Sequence, residues 1–235
     1  MKFPKRCKIT ILGDSISKGI FLENNQLKKM PNNAVSQVAK HYNLDINNIS
    51  VYGQTLSRLN KKGFLDNYLK SLNKKDFNVA VLSLGGNDSD YDWKQVATAP
   101  TQPHLPKTPP KEFEALLNDT IQKLKKAKVK VFLTNIPPID SKRYFQNVIC
   151  RQADQQSVLK FLQGDIENIY RHQELYNSII TKCATKNQCH LFDIRTKLLS
   201  KVDYLDYMSD DGIHPNKTGQ QKIAESVIDQ IEQLK

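Results

Sequence analysis

Ser15 ends an apolar, β-branched run, Lys8-Ile9-Thr10-Ile11-Leu12-Gly13-Asp14-Ser15, and so reads as a hydroxyl delivered to the carboxyl end of a buried strand. Gly13 permits a sharp turn and a close backbone approach, which lets that hydroxyl project from the sheet edge. A serine is a poor nucleophile until a neighbouring base takes its proton. His214 is the best placed of the five histidines, in Asp210-Asp211-Gly212-Ile213-His214-Pro215, a loop before the last helix that can reach back to the strand ends. Asp211 precedes it by three residues, a spacing that brings a carboxylate onto the imidazole, fixes its tautomer and stabilises the imidazolium. Asp210 is adjacent and stays open from sequence alone, although the spacing favours Asp211. A tetrahedral intermediate also needs donors for its oxyanion. The backbone amides of Ser15 and Gly53 and the side-chain amide of Asn87 are the candidates, Gly53 because no side chain blocks approach and Asn87 because a neutral amide donates without titrating.

Those residues need elements to carry them. After the first strand, Val35, Val38, Ala39 and Tyr42 recur at helical spacing, with Asn32 or Asn33 as cap. Residues 46–52 read as a second strand, ending at Gly53, and 63–72 as a helix. Asn78 to Leu84 is the best strand in the sequence and runs into Gly85-Gly86-Asn87-Asp88. Residues 89–110, acidic and then proline-rich, mark a long surface loop able to wall a binding site. A helix through Phe113, Leu117, Ile121 and Leu124 leads to a strand over 129–134, stopped by Pro137-Pro138. Residues 139–164 form a second excursion, followed by a long helix over 166–184, a short strand over 190–193 and a last helix carrying Ile223, Val227, Ile231 and Leu234 inward. Strands alternating with helices predict a parallel sheet covered on both faces, whose ligands bind outside the strands' carboxyl ends. Ser15, Gly53 and Asn87 each lie just past such an end.

Gly13-Asp14-Ser15 with Gly19, Gly53, Gly85-Gly86-Asn87-Asp88 and Asp211-x-x-His214 occur in an order that resembles the SGNH, or GDSL-type, hydrolases over residues 13–214. The resemblance implies a three-layer α/β/α, flavodoxin-like doubly wound sheet of about five parallel strands and a metal-independent esterase without a cofactor. It makes Ser15 the nucleophile, His214 the base, Asp211 its orienter, and Ser15, Gly53 and Asn87 the oxyanion hole. Tyr52 departs from the asparagine often found before that glycine. Ser17 stands where a Gly-x-Ser-x-Gly elbow requires glycine, which argues against the ordinary α/β-hydrolase arrangement.

The 235 residues suit one domain, residues 1–235, and hydrophobic and charged contents of 39% and 25% are those of a globular enzyme. No apolar run has the length of a membrane span, and the basic start from Met1 lacks a cleavage site, so a cytoplasmic location is expected. Cys7, Cys150, Cys183 and Cys189 lack metal-ligand spacing and are expected to be isolated thiols. Asp88, Asp90 and Asp92 mimic a metal site but lack a calcium-loop pattern, so solvated carboxylates are expected. The net charge of +11 and the run from Lys123 to Lys128 are those of a solvated helix face, without a nucleic-acid motif. Trp93 is expected to brace its loop, and His41, His104, His172 and His190 to be structural or exposed.

The expected activity is release of a small acyl group, acetyl foremost, from an oxygen ester, with a carbohydrate ester as the preferred small-molecule substrate. A lysophospholipase or thioesterase is the alternative, favoured if 89–110 and 139–164 build an apolar groove. A binding module holding a polyanion on its basic surface is the reading from another class.

Overall fold

The computed structural model describes residues 4–200 and 202–234; the first three residues of the basic start lie outside them. Strand β1 (Cys7–Gly13) passes through a one-turn helix α1 (Ser15–Lys18) into an antiparallel hairpin, β2 (Ile20–Glu23) and β3 (Gln26–Lys29). Helix α2 (Ala34–Tyr42) follows, with Asn33 as its cap: the Asn33 side chain accepts from the Ser36 amide. Strand β4 is shorter than the sequence suggests (Ile46–Asn48): the Asn48 side chain accepts from the Ser50 amide and donates to the Ser17 carbonyl, while the amides of Ile49 and Val51 still donate to the Ile11 and Gly13 carbonyls of β1. Helices α3 (Leu56–Lys61) and α4 (Phe64–Ser71) then lead to β5 (Phe77–Ser83).

The long loop after β5 is not irregular throughout. It contains α5 (Trp93–Thr98), capped by Asp92, before α6 (Pro110–Lys126) and β6 (Lys130–Thr134). The second excursion holds α7 (Ser141–Tyr144), a π-helical turn over Phe145–Ile149 and α8 (Gln155–Phe161). The chain closes with α9 (Glu167–Lys186), β7 (His190–Phe192), α10 (Arg195–Leu199), a 3₁₀ turn over Tyr204–Tyr207 and α11 (Lys217–Gln233).

The five parallel strands lie in the order β4-β1-β5-β6-β7, which is the 2-1-3-4-5 order of flavodoxin-like sheets. Alternation along the strands sends Leu12, Leu82 and Leu133, in register across β1, β5 and β6, to one face. There they pack with Leu56, Leu65, Phe113, Ile121, Tyr176 and Ile180 from α3, α4, α6 and α9. The opposite face is covered by α2, α10 and α11 through Val38, Leu198 and Ile223. A third apolar cluster (Trp93, Val96, Tyr144, Phe145, Ile149, Val158, Leu162) belongs to the two excursions and sits over the carboxyl edge. Lys123, Lys125 and Lys126 occupy the last turn of α6, where cations complement the helix dipole, and Lys123 pairs with Asp119. The chain leaves β1 towards β4 on one side and returns to β5 on the other. The loops after β1 and β5 therefore part, and their divergence opens a crevice at the carboxyl edge.

Candidate active site

The crevice receives a hydroxyl, an imidazole and a carboxylate from two segments distant in sequence. Ser15 stands at the first position of α1, immediately after Asp14, whose side chain caps that turn by accepting from the Ile16 amide at 2.9 Å. His214 and Asp211 come from the loop before α11. That loop is closed by a bridge between Met208 and Pro215 and by the Ser209 amide donating to the His214 carbonyl at 2.8 Å. The Ser15 Oγ lies 2.8 Å from His214 Nε2, and His214 Nδ1 lies 2.6 Å from Asp211 Oδ2. All three side chains are buried, their residues being 5%, 5% and 3% exposed for Ser15, His214 and Asp211.

Asp211 is held at both oxygens. Its Oδ1 accepts from the Ser209 hydroxyl and from the amides of Ile213 and His214, each at 2.9 Å. Burial pushes its pKa up, but the hydrogen bond and charge of His214 with those amides outweigh it, leaving the carboxyl below its usual value. The ionised carboxylate accepts from Nδ1–H, so Nε2 is left to take a proton from Ser15. Asp210 has no part in this: it is exposed, and its backbone carbonyl accepts from Asn147. Ser209 is the site residue that the sequence reading missed.

Gly53 and Asn87 line the same cavity as Ser15 and His214. Gly53 adopts φ 64°, and a Cβ there would meet no atom within 4 Å, so its open side faces the crevice. Among the described residues, the amides of Ser15 and Gly53 donate to no protein acceptor. The Asn87 amide donates to Asp14 Oδ2 at 3.2 Å, which leaves its second hydrogen unused.

The cavity measures about 630 Å³, within the range of small-molecule sites. Both excursions wall it: Ser89, Tyr91 and Trp93 come from the first, Ile139, Val148, Phe161 and Leu162 from the second. Trp93 is 3% exposed and its Nε1 donates to Asp90 Oδ1 at 2.8 Å and to the Tyr144 hydroxyl at 3.1 Å. Tyr144 donates to the same Asp90 oxygen and Lys107 pairs with the other, so Trp93 braces the wall. His172, read from sequence as structural or exposed, also lines the cavity, half-buried against Tyr91. Burial lowers its pKa, against the raising charge of Asp90. Asp88, Asp90 and Asp92 are engaged separately, by Leu56 and Thr108, by the Trp93 network, and by the α5 cap. No group of three or more His, Cys, Asp or Glu among the described residues is arranged to hold a metal ion. No helix there is long and apolar enough to cross a membrane, and all four cysteines are free.

A hydroxyl–imidazole–carboxylate chain at the carboxyl edge of a flavodoxin-like sheet is the constellation of a hydrolase that works through an activated serine. The chain belongs to the GDSL-like lipase/acylhydrolase family, whose sequence pattern matches residues 11–222. Among solved structures it is similar to the lipase/acylhydrolase from Enterococcus faecalis, with a TM-score of 0.61 and 17% identity over 97% of this chain and 96% of that one. It is similar to the psychrotrophic esterase EstA from Pseudoalteromonas sp., with a TM-score of 0.57 and 19% identity over 97% of each chain. It also resembles an acetyl xylan esterase, AlAXEase, with a TM-score of 0.58 and 22% identity over 95% of this chain and 99% of that one. None of the curated protein sequences compared with the chain matches it significantly.

Proposed function

We propose that the protein is a serine acylhydrolase in which Ser15 is the nucleophile, His214 the base and Asp211 the group that orients it. The amides of Ser15, Gly53 and Asn87 serve as the oxyanion hole. His214 Nε2 takes the Ser15 proton as Oγ attacks the ester carbonyl, and returns it to the departing alkoxide. The acyl-enzyme is then opened by water, whose proton follows the same route through His214. The observation that carries this reading is the unbroken chain of short contacts from Ser15 to Asp211, opening on a walled cavity.

The cavity also bears on the acyl group. An acetyl group needs little of its volume, whereas Ile139, Val148, Phe161, Leu162 and Ile169 give part of its wall an apolar lining that an aliphatic chain can use. This supports an acyl chain longer than acetyl, in an oxygen ester or a thioester. A carbohydrate acetyl ester is the second reading, favoured by Tyr52, which lines the mouth beside Gly53, is 51% exposed and offers a ring face to a sugar. The membership of the chain among hydrolases and the assembled triad weigh against a binding module that merely holds a polyanion.

Hydrolysis of p-nitrophenyl esters from acetate to decanoate tests the choice. A kcat/KM that rises from acetate to a medium-length chain supports the apolar acyl site. An optimum at acetate, with release of acetate from acetylated xylan, overturns it in favour of the carbohydrate ester.

A further inference from the structure

We propose that Asp14 is a positioning residue that keeps the NH₂ end of the Asn87 amide turned towards the oxyanion, an inference that rests on Asn87 acting as an oxyanion donor. A carboxamide presents an oxygen and a nitrogen of nearly equal shape, and only its partners decide which end faces which way. The side-chain partner of Asn87 is Asp14, through Nδ2 and Oδ2 at 3.2 Å. A carboxylate accepts and does not donate, so a flipped amide would set oxygen against oxygen. With one amide hydrogen on Asp14, the other is free to point into the cavity that both residues line.

Capping alone does not explain an aspartate at this position. The cap needs a single oxygen, and Oδ1 supplies it to the Ile16 amide; serine, threonine or asparagine would do as well. What aspartate adds is the second acceptor, and that oxygen is the one bound to Asn87. The residue is 3% exposed, and a buried carboxylate is costly to keep. Burial raises its pKa to about 6, against the Ile16 amide, the charge of His214 and the Asn87 amide. The placement is also rigid, because Asp14 joins β1 to α1 while Asn87 follows β5, the neighbouring strand.

A double-mutant cycle tests the coupling. Asp14→Asn retains size and an acceptor for Ile16 but turns an NH₂ group towards Asn87, which favours the flipped amide. We expect Asp14→Asn to lower kcat by at least about tenfold with KM nearly unchanged, and Asn87→Ala to lower it by about 10²–10³-fold. In the Asn87→Ala background, Asp14→Asn should cost less than about twofold, because there is no amide left to orient. Asp14→Ser, which caps but lacks the second oxygen, should show the same background dependence, and circular dichroism should show each variant folded. Wild-type kcat in Asp14→Asn, or equal losses in both backgrounds, overturns the positioning role alone. Wild-type kcat in Asn87→Ala overturns the oxyanion reading and this inference with it.

Discussion

Asp211 shows how much of the candidate chemistry depends on groups that do not react. Four donors converge on its two oxygens, and one of them, the Ser209 hydroxyl, has no counterpart in the motif that marks the histidine. Removing that hydroxyl in Ser209→Ala should destabilise the protein by about 1.5–3 kcal/mol, the range for a hydrogen bond to a charged group. It should also lower kcat/KM, because the carboxylate is freer to leave Nδ1. Urea unfolding with steady-state kinetics checks both, and an unchanged kcat/KM would show that the backbone amides suffice. Asn87→Ala, which also takes a donor from the buried Asp14 carboxylate, should reduce kcat by about 10²–10³ and leave the protein folded. At this scale the sequence was informative where chemistry dictates spacing. Asp211-x-x-His214 is legible because a turn of fixed length must carry a carboxylate to its own imidazole. Ser209 was not legible, since a serine in a polar loop carries no pattern of its own.

The elements that hold these residues were legible in proportion to their length. The periodicity of α6, α9 and α11 is sustained over 17, 20 and 17 residues, and β1, β5 and β6 read as largely apolar runs. Helix α3 offers only Leu56 and Leu59 in six residues, too few for a period, and rests on the Thr55 cap. The β2–β3 hairpin turns on Asn24 and Asn25, both at positive φ, where asparagine is tolerated; that signal was present but brief. The short helices inside the two excursions carry no sustained period, because their apolar residues pack mainly against one another. Several contacts tie the second excursion to the triad loop, the Asn147 amide on the Asp210 carbonyl among them, and the one at Gly212 is the tightest packed. The Asp140 amide donates to the Gly212 carbonyl at 2.8 Å, Gly212 has φ 70°, and a Cβ there would lie 2.5 Å from the Asp140 carbonyl oxygen. Gly212→Ala should therefore cost more than the about 1–2 kcal/mol of left-handed backbone alone, and lower kcat by displacing Asp211 and His214. A crystal structure of the variant with the His214–Ser15 contact intact would contradict this.

For the molecule as a whole, the carboxyl edge gathers the buried carboxyl groups of Asp14, Asp88 and Asp211. Asp88 is fully buried, and burial raises its pKa to about 6 against the Thr108 hydroxyl and the Leu56 amide. Between its ordinary 3.8 and about 6, the native state then binds a proton more readily than the unfolded chain. The contribution of this group is greatest below about pH 4 and is lost as pH rises through about 6, on the order of 3 kcal/mol in all. Asp88→Asn should remove that loss, so the stability difference between variant and wild type should move in the variant's favour from pH 4 to pH 7. Parallel urea midpoints at the two pH values would contradict the assignment. The central claim, however, is that Ser15 carries the acyl group. Rapid mixing with excess p-nitrophenyl ester, followed by digestion and peptide mass analysis of the quenched protein, reads it out directly. The expected result is a burst of p-nitrophenolate stoichiometric with enzyme, an acyl mass on the peptide containing Ser15, and neither in Ser15→Ala. Turnover by Ser15→Ala at the wild-type rate, or an acyl group on another residue, would contradict it.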